Sequence, residues 1–141
     1  MFLIDTNVIS ELSRPQYANQ GVINFFRQVQ RSKQHIYLSV ITIGEIKRGI
    51  YLLKHKNDDV QAEHLEHWLN KIIHQYQHVI LDTNLEVAEL WGKLCVPNHH
   101  NAIDKMIAAT ALMHDLTLVT RNIDDFKETN VKLLNPFASV E

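Results

Sequence analysis

What most narrows the fold of this chain is a regular change of period along it. Short runs rich in β-branched and aliphatic residues occur at Phe2–Ile4, Ile36–Val40, Val79–Leu81, Thr117–Thr120 and Val131–Leu134. Between them lie longer stretches of helical spacing, with helices expected at 6–13, 21–32, 42–54, 60–76, 84–95, 102–115 and 123–127. Strands joined by helices return in the same direction, so the pattern specifies an α/β domain with a mostly parallel sheet. The helical faces are visible as stripes: Ile43, Ile46, Ile50 and Leu53; Val87, Leu90, Trp91 and Leu94; and Ile107, Ala108, Ala111 and Leu112, whose small members permit close approach to a sheet. With 141 residues, no internal repeat and no linker-like stretch, one domain over 1–141 is expected.

Composition enters mainly as exclusion. No apolar run approaches the ~18 residues of a membrane span, and Met1-Phe2-Leu3-Ile4-Asp5 lacks the basic region and long apolar segment of a secretory signal. The one cysteine, Cys95, has no internal partner for a disulfide, so a reducing, cytoplasmic setting is the expectation. Fourteen Lys and Arg against 16 Asp and Glu give a net charge of −2, which argues against a broadly basic surface. Setting four clustered carboxylates aside leaves +2 on the remainder, so the balance still admits a polyanionic substrate.

Four acidic residues stand at the starts of expected helices. Asp5 directly follows the first strand in Leu3-Ile4-Asp5-Thr6-Asn7. Glu45 lies in Thr42-Ile43-Gly44-Glu45-Ile46, Asp104 in Asn101-Ala102-Ile103-Asp104, and Asp125 in Asn122-Ile123-Asp124-Asp125-Phe126. Each has a plain structural explanation. Asp5 is a competent N-cap, Thr42…Glu45 has capping-box spacing, and Asn101…Asp104 and Asn122…Asp125 repeat that spacing with Asp. Thr83…Glu86 has it too and is expected to be a cap only.

Topology supplies the other explanation. In a parallel sheet, a helix after a strand and a helix leading into the next strand both begin at the strands' carboxyl rim. All four acids therefore project toward one edge, where α/β proteins place their sites. Carboxylates gathered there repel one another unless protonated or bound to cations, and an all-oxygen set suits Mg²⁺ or Mn²⁺.

The same segments resemble the four motifs of the PIN-domain ribonucleases, in order: Leu3-Ile4-Asp5-Thr6-Asn7-Val8-Ile9-Ser10-Glu11-Leu12, Ser39–Ile50, Asp104–Leu112 and Leu118–Phe126. Leu85–Leu94 and Asn135-Pro136-Phe137 are similar to the VapC/FitB branch. The resemblance spans essentially the whole chain. It implies a three-layer α/β/α sandwich with a five-stranded sheet in the order 3-2-1-4-5. It further implies a metal-dependent endoribonuclease acting as the toxin of a type II toxin–antitoxin pair, with a small antitoxin as partner, RNA (tRNA or rRNA) as substrate and a homodimeric state. Asp5, Glu45, Asp104 and Asp125 carry over as the acidic, catalytic set, with Asp5 and Asp104 as metal ligands for Mg²⁺ or Mn²⁺. The chain departs from the pattern where many relatives carry a proline before the third-motif aspartate, having Asn101-Ala102-Ile103 instead. In the fourth motif Asn122 stands where some relatives are acidic; Asp125 is assigned the acidic role ahead of Asp124.

Around these acids, Thr6, Asn7, Thr120 and Asn122 are placed to hydrogen-bond the carboxylates, and Arg121 to contact a substrate phosphate; Lys47 and Arg48 read more simply as solvated charges. One resident ion joined by a second with the substrate fits the residues as well as two permanent ones. The nine histidines include His64…His67 at helical spacing and the pair His99-His100, but none forms His-Glu-x-x-His or joins a cysteine cluster. Two rival classes are considered. A haloacid-dehalogenase-type phosphatase normally has Asp-x-Asp after its first strand, whereas position 7 is Asn. A receiver domain would use Asp82 as phosphoacceptor, but it normally has adjacent acids after strand one.

Overall fold

The computed structural model describes residues 1–138. In chain order the elements are β1 (Phe2–Ile4), α1 (Thr6–Ile9), α2 (Gln20–Ser32), β2 (Ile36–Ser39), α3 (Val40–His55), α4 (Asp59–Tyr76), β3 (Ile80–Leu81), α5 (Leu85–Leu94), α6 (Ala102–Met113), β4 (Thr117–Val119), α7 (Ile123–Phe126) and β5 (Leu133–Leu134). Short 3₁₀ segments follow α1 and α7. The sheet order is β3-β2-β1-β4-β5 and every pairing is parallel. The expected sandwich, its strand order and its parallel sheet are thus all present.

β1 is central, and both of its faces are covered. Leu3 and Ile4 point to opposite sides, as the strand period of two requires, and both are fully buried. Ile4 joins Val8, Ile9, Val22, Leu38, Ile46, Ile50 and Leu69 in a core formed with α1 to α4. Leu3 joins Ile107, Ala108, Ala111, Leu118 and Phe126 beneath α6 and α7. Two cores on the two faces of one sheet make the three layers. The fully buried Ala108 and Ala111 are what let α6 lie close against the strands.

Register brings the chemistry to one rim. Leu3 pairs with Tyr37 and with Leu118, and Ile4 with Val119. The chain leaves β1 at Asp5, β2 at Ser39 and β4 at Thr120, so these residues emerge side by side. The Asp5 N–H donates to Val119 O at 2.9 Å, tying the first exit to the third.

Two capping expectations fail. α3 begins at Val40 rather than 42, because Ser39, extended at φ −97° and ψ 146°, accepts from the Ile41 N–H at 3.0 Å. The strand runs straight into the helix with no intervening loop, which leaves Thr42 fully buried within the first turn and Glu45 in the second. α5 is capped by Asn84, whose Oδ1 accepts from the Val87 N–H at 3.0 Å, and not by Thr83, whose buried hydroxyl has no partner among the described residues. Ser39 is the last residue of β2, whereas Asn84 lies three residues beyond the end of β3, and box spacing alone reveals neither position.

Candidate active site

Asp5 is the buried centre of the rim, only 3% exposed. One oxygen accepts from its neighbour's backbone, Thr6 N–H to Oδ1 at 2.8 Å, as a helix cap does. The other accepts from Thr120 Oγ1 at 2.7 Å and Asn7 Nδ2 at 3.2 Å. These donors favour the charged form, yet burial outweighs them and raises the carboxyl's pKa above 3.8, with Glu45 adding to the rise.

The donors are themselves held. Thr120, fully buried, accepts from the Asn122 N–H at 3.0 Å. Asn7 turns its carbonyl oxygen to the Arg121 N–H at 3.1 Å, so one side chain spans Asp5 and the loop after β4. Thr6 Oγ1 lies 2.6 Å from Glu45 Oε1 and 3.1 Å from Thr42 Oγ1. A hydroxyl has one proton, the shorter contact takes it, and Thr42 then donates to Thr6. Thr42 is not a cap but the end link of a chain Thr42–Thr6–Glu45. Asn122 contributes through its backbone N–H, and Thr6, Asn7 and Thr120 through their side chains.

Asp104 has no such support. Its helix begins at Asn101 in the left-handed region, φ 57° and ψ 42°, a conformation that Asn tolerates, with no side-chain cap. Two anchors fix the start of α6. Trp91 Nε1 donates to Ala102 O at 2.8 Å, and the buried Lys105 ammonium reaches Asn98 O at 3.0 Å. In the sequence Trp91 reads only as part of an apolar helical stripe, and Lys105 as an ordinary helix residue. The Asp104 pKa is raised to about 6, first by partial burial and then by the charges of Asp5, Asp125 and Glu45. The charges of all three other acids are thus felt at this one carboxyl.

Asp125 is exposed on α7, at whose start Asn122 makes no side-chain cap. Asp124, also exposed, pairs with Lys127 at 2.6 Å. Capping therefore describes Asp5 and leaves Glu45, Asp104 and Asp125 unexplained. Among the described residues, no three His, Cys, Asp or Glu side chains already stand close enough to cage an ion by themselves. Asp82, the rival phosphoacceptor, is exposed beyond the edge strand β3, away from the central rim.

Two hollows adjoin the acids. One, about 420 Å³, is polar and lined by Arg121, Asn122, Ile123, Asp124, Asp125 and Asn135. The other, about 450 Å³, is mainly apolar and runs along Val40, Ile41, Gly44, Glu45, Arg48 and Ile103. Lys47 lies away from both in an ion pair with Glu66 at 3.0 Å.

The family model for the PIN domain matches residues 2–132. The chain belongs to the PIN-domain family. Among curated PIN-domain relatives, it is 35% identical to Toxin FitB of Neisseria gonorrhoeae, an alignment covering 97% of this chain and 99% of that one. It is 24% identical to the VapC ribonuclease Y4jK of Sinorhizobium fredii, over 97% and 98% of the two chains. A solved structure of FitAB bound to an IR36 DNA fragment superposes with a TM-score of 0.76 at 32% identity, covering 100% of this chain and 99% of that one.

Proposed function

We propose that this PIN domain is a divalent-metal-dependent endoribonuclease and the toxin of a type II toxin–antitoxin pair, active in the cytoplasm. The observation that carries this reading is Asp104: a carboxyl that is no cap, set in the field of three other acids. Such an arrangement is costly by itself and becomes favourable when a cation is shared. The likeness to a toxin and to a ribonuclease over nearly the full chain supports the same reading.

The donor set fits Mg²⁺ or Mn²⁺, being all oxygen with no thiolate or imidazole in it. Asp5 and Asp104 would hold the ion, with solvent and phosphate oxygens completing its shell. When bound, it supplies charge neutralisation at the scissile phosphate and a more acidic water for in-line attack.

The remaining work falls to the chain. Thr120, Asn7 and the Thr6 N–H aim Asp5 and favour its charged form against the opposing effect of its burial. The Thr42–Thr6 relay fixes Glu45 through Oε1 alone, so its second oxygen is available to orient the attacking water or receive its proton. Asp125, on the open side, faces the second half of the substrate phosphate. Arg121 meets the RNA backbone there, where a guanidinium matches phosphate oxygens. An antitoxin segment would cover the acids, with the apolar hollow beside Glu45 and Ile103 as its seat, and the toxin would act as a homodimer.

The test is cleavage of a tRNA and rRNA panel with Mg²⁺, with Mn²⁺ and with chelator, by the wild-type chain and by Asp5→Asn. Metal-dependent cutting that Asp5→Asn loses while keeping its fold is expected. Cleavage of equal rate in chelator, or by Asp5→Asn, would remove the reading.

A further inference from the structure

The chain's end contributes to the rim in a way the motifs do not describe. Asn19 caps α2, its Oδ1 accepting from the Gly21 N–H at 2.9 Å. The same oxygen accepts from the Ala138 N–H at 2.9 Å, and Asn19 Nδ2 donates to Ala138 O at 3.3 Å. A methyl group on Gly21 would stand 2.2 Å from Pro136 O and 2.4 Å from Ala138 N, so only glycine admits the tail at this point. Asn135 Oδ1 accepts from the Phe137 N–H at 3.0 Å and closes the turn. The segment 135–138 is thus clamped at both ends, with Phe137 partly buried against the core around β1 and α2.

The outer face of that ring carries Arg121, whose guanidinium carbon lies 4.9 Å from the ring centroid. Arg121 is exposed, shares its hollow with Asp124 and Asp125, and has no ion pair among the described residues. Its backbone is held by Asn7 and its tip by Phe137, so one end of the chain fixes each end of this side chain. A long cation loses much freedom when it is placed; here the ring bears it before any ligand arrives.

We propose that Phe137 is a positioning residue, which stacks Arg121 so that its guanidinium is presented to an RNA phosphate beside Asp125. This rests on the nuclease reading and deepens it.

The experiment measures binding of fluorescein-labelled bulk tRNA to the non-cleaving Asp5→Asn chain as a function of salt, and kcat and KM for the cleaving chain. Phe137→Ala and Phe137→Leu should each weaken binding about five-fold, the ratio matching an exposed cation–π contact. KM should rise by a similar factor and kcat stay near wild type. Phe137→Tyr, which keeps the ring, should restore both. Arg121→Gln should lower the slope of log affinity against log salt by about 0.7, one single-strand phosphate. In that background Phe137→Leu should add nothing.

Leucine fills the space without a π face, so it decides the matter even if the alanine variant is too unstable to study. A leucine variant that binds like wild type, or whose loss persists without Arg121, would overturn the assignment. A chain that cuts tRNA normally whatever stands at 137 would overturn it while sparing the nuclease reading. A chain that cuts nothing but shows these couplings would do the reverse.

Discussion

Replacing Asp104 with Asn should make the metal-free protein more stable at neutral pH while making it useless as a nuclease. In the folded chain this carboxyl holds its proton up to about pH 6, against 3.8 ordinarily. A raised folded value means the native state binds the proton more tightly, so stability is fullest below pH 3.8 and is lost as pH rises through 6. At 1.36 kcal/mol per pH unit the ceiling is about 3 kcal/mol. The side chain is only half-buried, and solvent screening reduces this to about 1.5 kcal/mol. Asn keeps the shape and drops the charge, and the carboxylate has no hydrogen-bond contribution to lose. In a chain of this size the gain corresponds to a rise of about 5 °C in Tm. Thermal unfolding in chelator should show this at pH 7.5, with the gap closing toward pH 4. An Asp104→Asn protein that melts at or below wild type at pH 7.5, or an advantage that ignores pH, would refute the argument that like charges strain this rim.

Other outcomes follow from the same geometry. Saturating Mn²⁺ should raise the Tm of wild type, since a ligand of the native state alone stabilises it, and should leave Asp104→Asn nearly unmoved; equal shifts would place the ion elsewhere. Thr120→Val removes the 2.7 Å donor from a buried carboxylate and should cost about 1.5–3 kcal/mol in denaturant unfolding, with cleavage reduced. Gly21→Ala drives a methyl into the Pro136 and Ala138 backbone, and should destabilise by about 1–3 kcal/mol and raise KM for RNA as loss of the Phe137 ring does. Ser39→Ala should cost about 1 kcal/mol as a lost N-cap, whereas Thr42→Ser, which keeps the hydroxyl facing Thr6, should leave cleavage close to wild type.

Much of this protein was already legible in its residues. Alternating periods specified a parallel α/β sheet, because a strand buried on both faces and a helix covering it impose different spacings on apolar side chains. The resemblance of four ordered segments implied the strand order, and the carboxyl rim of a parallel sheet is where helices bearing Asp5, Glu45, Asp104 and Asp125 are expected to begin. Asp125 and Asp124 both fall in the first turn of α7, where the sequence favours Asp125; in the structure Asp124 pairs with Lys127 and Asp125 acts on the Asp104 carboxyl. Spacing could not show that Ser39, not Thr42, caps α3, because only Thr42 has a Glu three residues on and Ser39 caps without one.

What only the tertiary structure decided is which polar groups meet across distance in sequence. Thr120 reaches Asp5 from 115 residues away, Thr6 reaches Glu45 from 39, and Asn19 reaches Ala138 from 119. Local propensity reports on neighbours three or four residues apart, through the helical turn or the strand pleat. Contacts between chain ends depend on register and on the crossing of layers, and those are settled when the two cores close on either side of β1.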